Sequence, residues 1–209
     1  MKKNAKQRFD DTIKRCESLI DLSRDHYIAQ LPNADFKGEL LRYAAVLAVS
    51  ALDMYAGDRF GENFVSVLKN HPPCKRDTDF LEKIGVGMKD ILELLRETPK
   101  RPYRRMRTLV DEYLSHNSMQ SLSRIDNLYK YFNLPEITMR ASVAMKRKRL
   151  KASVSKLVLR RNDIVHGCDY NGQSVVRGIE EKDVKRWVAN VKSLVEGMDK
   201  LITSKFGQR

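Results

Sequence analysis

Apolar residues recur at helical spacing along almost the whole chain, and the two-residue alternation of a strand is nearly absent. Phe9, Ile13, Cys16 and Ile20 stand three and four apart and predict a first amphipathic helix over about 4–30. Pro32-Asn33 should end it. A second helix is expected over about 35–60, and because it is apolar all round near Ala44 to Leu52 it should lie at the centre. Pro72-Pro73 marks a loop, and helical patterns follow at about 77–97, 103–114 and 121–132. Pro99 and Pro102 bracket a cationic linker, and Pro135 bounds another break. A basic helix is then expected from about Ile137 or Ala144 to His166, with Gly167 as its left-handed terminator. Asp169-Tyr170-Asn171-Gly172 reads as a turn, and Ser174-Val175-Val176 as a brief extended piece with no identifiable partner. The last helix, about 180–206, carries the clearest stripe: Val184, Trp187, Val188, Val191, Leu194, Val195, Met198, Leu201 and Ile202. Trp187 is read as core because it lies on that stripe. The pattern predicts one all-α bundle over residues 1–209, with about 70–135 as a helical insertion around a smaller core.

Composition places this bundle among globular proteins. Hydrophobic residues make up 42% of the 209 and charged residues 32%. The net charge of +13 is unevenly spread: residues 1–98 hold 16 basic and 16 acidic side chains, residues 99–209 hold 24 and 11. From Arg140 to Arg161 there is no acid at all, against Arg140, Lys146, Arg147, Lys148, Arg149, Lys151, Lys156, Arg160 and Arg161. Such segregation favours a basic face for nucleic acid over an even coat of solubilising charge. Cys16, Cys74 and Cys168 are odd in number and far apart, so neither a disulfide framework nor a metal pair is expected, and a reducing cytoplasmic compartment fits. The Lys2-Lys3 start leads into a charged helix, so no signal peptide is expected. The most apolar run, Leu40 to Leu52, is interrupted by Arg42 and falls short of the roughly 20 residues of a membrane span, so no membrane partner is expected.

Within the basic region, Arg161-Asn162-Asp163-Ile164-Val165-His166-Gly167 sets an arginine and a histidine at a fixed gap. Residues five apart lie about 140° apart around a straight helix, so Arg161 and His166 do not share a stripe, whereas Asn162 and His166 do. If both act together, either the last turn unwinds or a second copy completes the site across a twofold axis. A neutral histidine can take the proton from an RNA 2′-hydroxyl, which attacks the adjacent phosphate, while a guanidinium holds the charge that builds on the phosphoryl oxygens. The nucleophile belongs to the substrate, so neither metal nor cofactor is called for. Products would carry a 2′,3′-cyclic phosphate, or its opened form, and a 5′-hydroxyl. The plainer alternative is that His166 caps a helix end, favoured there by the dipole.

The segment Val158-Leu159-Arg160-Arg161-Asn162-Asp163-Ile164-Val165-His166-Gly167 resembles the signature of the HEPN superfamily: arginine, a polar residue, three variable residues, then histidine. Ala45-Val46-Leu47-Ala48-Val49-Ser50-Ala51-Leu52-Asp53-Met54-Tyr55 resembles the early core helix of its RiboL-PSP-type branch. Ser118-Met119-Gln120-Ser121 through Ile125 to Leu134 is similar to that branch's middle segment. The resemblance covers about residues 40–167. It implies an all-α, HEPN-like helical bundle, usually dimeric, whose metal-independent ribonuclease cleft draws on both protomers. Arg161, Asn162 and His166 match the family motif position by position. Asp53 corresponds to an acid often found near the cleft, although a polar residue ending an apolar stripe is an equal reading. Some members of the family bind nucleic acid or protein partners without cleaving.

The leading expectation is a homodimeric endoribonuclease of a prokaryotic toxin or defence system. In it His166 moves the proton, Arg161 clamps the phosphate and Asn162 orients. Lys146, Arg147, Lys148, Arg149, Lys156 and Arg160 would hold flanking phosphates. Arg104 and Arg105, in the stretch from Pro99 to Arg107 with Tyr103 interleaved, are further RNA contacts or a solvated linker. The alternative is a non-catalytic module that binds nucleic acid or docks on a defence-complex protein; a neutralising antitoxin is a further partner this reading allows. His116 is expected on a surface loop, and His26 and His71 have no obvious partner. Nothing resembles a Walker loop, a dinucleotide loop or a zinc finger.

Overall fold

A computed structural model describes residues 3–29, 35–72, 74–87, 89, 102–116 and 121–207. Its helices are α1 (Ala5–Leu22), α2 (His26–Ala29), α3 (Phe36–Asn70), α4 (Lys75–Lys83), α5 (Pro102–His116), α6 (Leu122–Tyr129), α7 (Ile137–Ala144), α8 (Leu150–Gly167) and α9 (Glu181–Phe206). A single 3-10 turn, Lys130–Phe132, follows α6. The expected all-α class is the one observed.

α1 starts where the sequence supplies a cap. The Asn4 side chain accepts the Gln7 N–H at 2.9 Å, and Gln7 returns the bond to the Asn4 N–H at 3.1 Å. Ala5, Phe9, Ile13, Cys16 and Ile20 are buried, as their spacing predicts. The helix does not run on to residue 30. Ser23 donates its hydroxyl to Ile20 O at 2.7 Å, and Asp25 accepts the Tyr27 N–H at 2.8 Å. These short polar side chains offer the backbone a turn instead, and the chain restarts as α2.

α3 begins at Asp35, whose side chain accepts the Gly38 N–H at 2.8 Å. It continues ten residues beyond the expected end at Phe60, because Phe64 adds a further buried residue and nothing breaks the helix before His71-Pro72. Leu41, Ala44, Ala45, Ala48, Leu52, Tyr55, Ala56 and Phe60 are all buried, and α1, α5, α8 and α9 pack around them. The alanines let those neighbours approach closely. By length and apolarity α3 is long enough to cross a membrane, yet 56% of its most apolar window is buried inside the protein. It is the central helix of the bundle. Cys16 lies in the same core, where burial pushes its thiol up to about 12; Cys74 and Cys168 are exposed.

The far half of α3 carries an aromatic cluster, Phe60 and Phe64 with Phe80, Tyr129, Tyr131 and Phe132. α4 ends at Ile84-Gly85, where Gly85 takes φ +82°. Of the helix expected over 77–97, residues 88 and 90–97 lie outside the described residues, as do Lys100, Arg101 and the Ser118–Gln120 part of the middle segment. His116, expected in a loop, is the last residue of α5.

The single basic helix expected up to His166 is two helices. Lys146 stands at φ +55°, its N–H donates to Val143 O, and the Arg147 N–H donates to Ser142 O, both at 2.9 Å. This is the double bond of a Schellman end, with lysine where glycine is usual. Tertiary contacts impose it. Gly197 of α9 lets α7 come so close that a Cβ there would stand 2.7 Å from Ala141 O. Asp126 of α6 caps α7 through Thr138 N and Oγ1, both 2.9 Å, and holds Lys151 of α8 at 2.8 Å. Gly167 is not the left-handed terminator either. It is the last helical residue, and Cys168 (φ 48°) and Asp169 (φ 60°) take the left-handed positions. Beyond them Tyr170 pairs with Val176 in one antiparallel bridge, which supplies the partner the extended piece lacked. α9 follows as expected, except that Trp187 is half-buried at the edge of the core rather than inside it.

Candidate active site

α8 stays helical through Gly167, so the unwinding that would bring Arg161 and His166 together does not occur. Within one chain the two side chains leave the helix about 140° apart around its axis and about 7.5 Å apart along it. His166 is exposed and its imidazole makes no hydrogen bond among the described residues. The last turn is closed instead by backbone, with the Asp169 N–H donating to Asp163 O at 3.1 Å. Arg161 is half-buried. Its Nη1 donates to Asn162 Oδ1 at 3.2 Å, its buried Nε has no partner, and no carboxylate pairs with it among the described residues. Asn162 is half-buried on the stripe of His166.

Apolar side chains in and just after the motif helix are exposed. Leu159, on the His166 stripe, is 64% exposed, and Val165, one turn after Arg161, is 45% exposed. Tyr170, Val175 and Val176 of the following loop are exposed too.

Behind the motif lies a cluster that sequence reading did not find. Asp169 is fully buried, and its Oδ2 accepts from Arg160 Nη2 at 2.7 Å and from Arg42 Nε at 2.9 Å. Its Oδ1 lies 3.2 Å from Arg177 Nη2, off the hydrogen-bonding direction. Arg177 also holds Asp163 at 2.6 Å. Arg42 reaches Glu39 at 3.0 Å and Arg177 O at 2.7 Å. Burial pulls Arg42 down, but its bonds to Asp169 and Asp35 and the charge of Glu39 hold it above the ordinary guanidinium value. Burial, helped by the charges of Arg177 and Arg42, keeps Arg160 below that value despite Asp169. One carboxylate thus pins the loop after the motif to α3 and α8. No periodic signal marks Asp169, because Arg160 and Arg177 flank it at irregular spacing and Arg42 comes from α3, far along the chain.

The other expected site residues divide by position. Arg160 turns inward to Asp169 and to Gly178 O at 3.1 Å. Asp53 lines a cleft of about 330 Å³ between α3 and α5 with Asp58, Asp111 and Ser115, and no motif residue borders it. It lies eleven residues along α3 from Arg42, roughly 16 Å by helical rise. Arg104 and Arg105 are exposed on α5, which meets α3 at Gly61 through Arg107, roughly 28 Å along the axis from Arg42. They do not share the motif's surface. Arg147, Lys148, Arg149 and Lys156 instead line a groove beside Trp187, on the other half of α8, and Lys146 is exposed at the turn before it. Among the described residues no three His, Cys, Asp or Glu side chains converge as metal ligands would.

A family model described as RiboL-PSP-HEPN matches residues 10–204. No curated protein and no solved structure matches the chain.

Proposed function

Because this chain belongs to the RiboL-PSP-HEPN family, a group of HEPN modules that are frequently ribonucleases, we propose that it is an endoribonuclease whose active site is completed by a second copy of itself. His166 takes the proton from the 2′-hydroxyl of RNA and returns it to the leaving 5′-oxygen. Arg161 holds the phosphoryl oxygens as charge accumulates on them, and Asn162 orients that guanidinium. General acid–base action contributes on the order of 10²- to 10⁴-fold, with electrostatic stabilisation by Arg161 adding to it. The chemistry needs no metal, since the attacking oxygen is part of the substrate. Lys146, Lys148, Arg149 and Lys156 hold phosphates further along the strand.

The unbroken last turn of α8 carries this reading. It fixes Arg161 and His166 on different faces, so one linkage meets both only where two helix ends face each other. The exposed Leu159 and Val165 supply the apolar surface for that contact. The plainer role for His166, a helix cap, lacks its hydrogen bond. The family resemblance favours a prokaryotic toxin or defence setting in the cytoplasm, with an antitoxin or complex protein as the natural restraint.

The test incubates wild type and His166→Ala with structured RNA and maps the ends. Wild type should leave 2′,3′-cyclic phosphate and 5′-hydroxyl ends, EDTA should not inhibit, and 2′-deoxy substitution at the cut should block cleavage. EDTA-sensitive cleavage, cleavage of DNA, or equal cutting by His166→Ala would contradict the proposal.

A further inference from the structure

Where α8 begins, its surface meets α9 in a groove of about 770 Å³. One wall is Trp187, half-buried with its body on the core edge. The rim holds Arg147, Lys148, Arg149, Lys156 and Arg186; Asp183 holds Arg186 at 2.6 Å, and no acid is paired with the other four among the described residues. Two neighbouring cations differ: Lys151 is held by Asp126 and Arg160 by Asp169. The groove is also built rather than merely charged. Arg147 donates Nη1 to Ser193 Oγ at 2.7 Å and Nη2 to Asn190 Oδ1 at 2.5 Å. Asn190, buried, is locked in turn by its bond to Ser153 Oγ at 2.6 Å. A guanidinium is therefore held in place by neutral groups alone, with its charge uncompensated. The left-handed Lys146 turn fixes the backbone from which Arg147, Lys148 and Arg149 project.

We propose that this groove is a subsite for an unpaired nucleotide of the RNA strand, its base stacked on Trp187 and its flanking phosphates on Arg147, Lys148, Arg149 and Lys156. An indole face takes any base, and cations take any phosphate. Asn190, the one amide lining the groove among the described residues, already has both ends engaged, so the subsite reads single-strandedness rather than sequence. The groove and the motif lie on one helix, roughly 12–20 Å apart by helical rise, a span that a few nucleotides cover. The inference rests on the ribonuclease reading for its substrate, and it adds where the strand beyond the cut is gripped.

Trp187 is the sole tryptophan in the chain, so its fluorescence reports on this groove alone. The test titrates full-length His166→Ala with an unstructured, fully 2′-O-methylated RNA octamer, which the proposed chemistry cannot cleave. Saturable quenching is expected, absent with a blunt RNA duplex and with inorganic phosphate, which offer no free base to stack. Lys148→Ser/Arg149→Ser, both exposed and with no side-chain partner among the described residues, should fold normally, bind about tenfold more weakly at low salt, and lose about one to two units of salt slope. Binding of the octamer without quenching, equal quenching by duplex, or unchanged affinity in the double variant would overturn the subsite. Quenching together with a wild type that never cleaves would leave the subsite standing and remove the nuclease. Cleavage without quenching would do the reverse.

Discussion

Asp169→Asn removes one charge and almost no volume, so it isolates what the buried carboxylate does for the loop behind the motif. Asparagine also tolerates the left-handed backbone at this position, φ 60°, so backbone strain stays constant. Three guanidiniums face the carboxylate at 2.7, 2.9 and 3.2 Å. After the change Arg42 keeps Glu39 and Asp35, and Arg177 keeps Asp163. Arg160 keeps backbone carbonyls and the neutral asparagine oxygen as acceptors, but no carboxylate. One half-buried cation is left beside two others. Removing one member of a buried pair costs about 3–5 kcal/mol, and the retained partners of Arg42 and Arg177 place this case at the lower end, about 3 kcal/mol. For a chain of this size that corresponds to a fall in Tm of about 6–12 °C. Scanning calorimetry of both proteins at low and high salt measures it, and the buried part should persist at high salt. Adding Arg160→Met removes the stranded cation and should recover part of the loss. A fall under about 1 °C, or one abolished by salt, would refute the clamp.

Three further outcomes follow from the same geometry. Asp53→Asn should leave RNA cleavage within about twofold of wild type, because Asp53 borders a separate cleft that no motif residue lines, roughly 16 Å along α3 from Arg42; a loss near that of His166→Ala would put it back in the site. Burial raises the carboxyl of Asp77, but the Tyr131 hydroxyl and the Cys74 N–H prevail and hold it below its ordinary 3.8. Its stabilising contribution is therefore present above about pH 4 and lost as pH falls through the lowered value, so the stability gap between wild type and Asp77→Asn should stay level from neutral pH and close only in acid. A gap that closes near neutrality would contradict this. Maleimide at neutral pH should modify exposed Cys74 and Cys168 but spare Cys16, whose thiol is buried and pushed up to about 12; mass spectrometry of native protein should show the Cys16 adduct only after denaturation.

Much of this architecture is legible along the chain, and the exceptions share a cause. The stripe from Val184 to Ile202 is local and periodic, so α9 falls where it is expected. The left-handed Lys146 that splits the basic helix is not foreseeable, because lysine carries no turn signal. The break is imposed by Asp126 and Gly197, which meet it only in three dimensions. α3 runs past Phe60 for the opposite reason: Gly57 and Gly61 weaken its pattern, while the close approach of Arg107 from α5 makes a small residue an asset at Gly61. The motif itself is readable because six consecutive residues, Arg161 to His166, contain it. The Asp169 clamp is not, since it assembles Arg42, Arg160 and Arg177 from separate regions. Trp187 sits on an apolar stripe like any core residue, and only the placement of Arg147 and Lys156 across from it turns that wall into a groove.

The central claim is that Arg161 of one protomer and His166 of another act on the same linkage. Arg161→Ala and His166→Ala proteins, each inactive alone, can be mixed under conditions that let protomers exchange. Half of the dimers become mixed, and each mixed dimer regains one site with both groups intact. The account predicts recovery of about a quarter of wild-type cleavage by the mixture. No recovery from proteins shown to have exchanged protomers would place both groups in a single chain and contradict it.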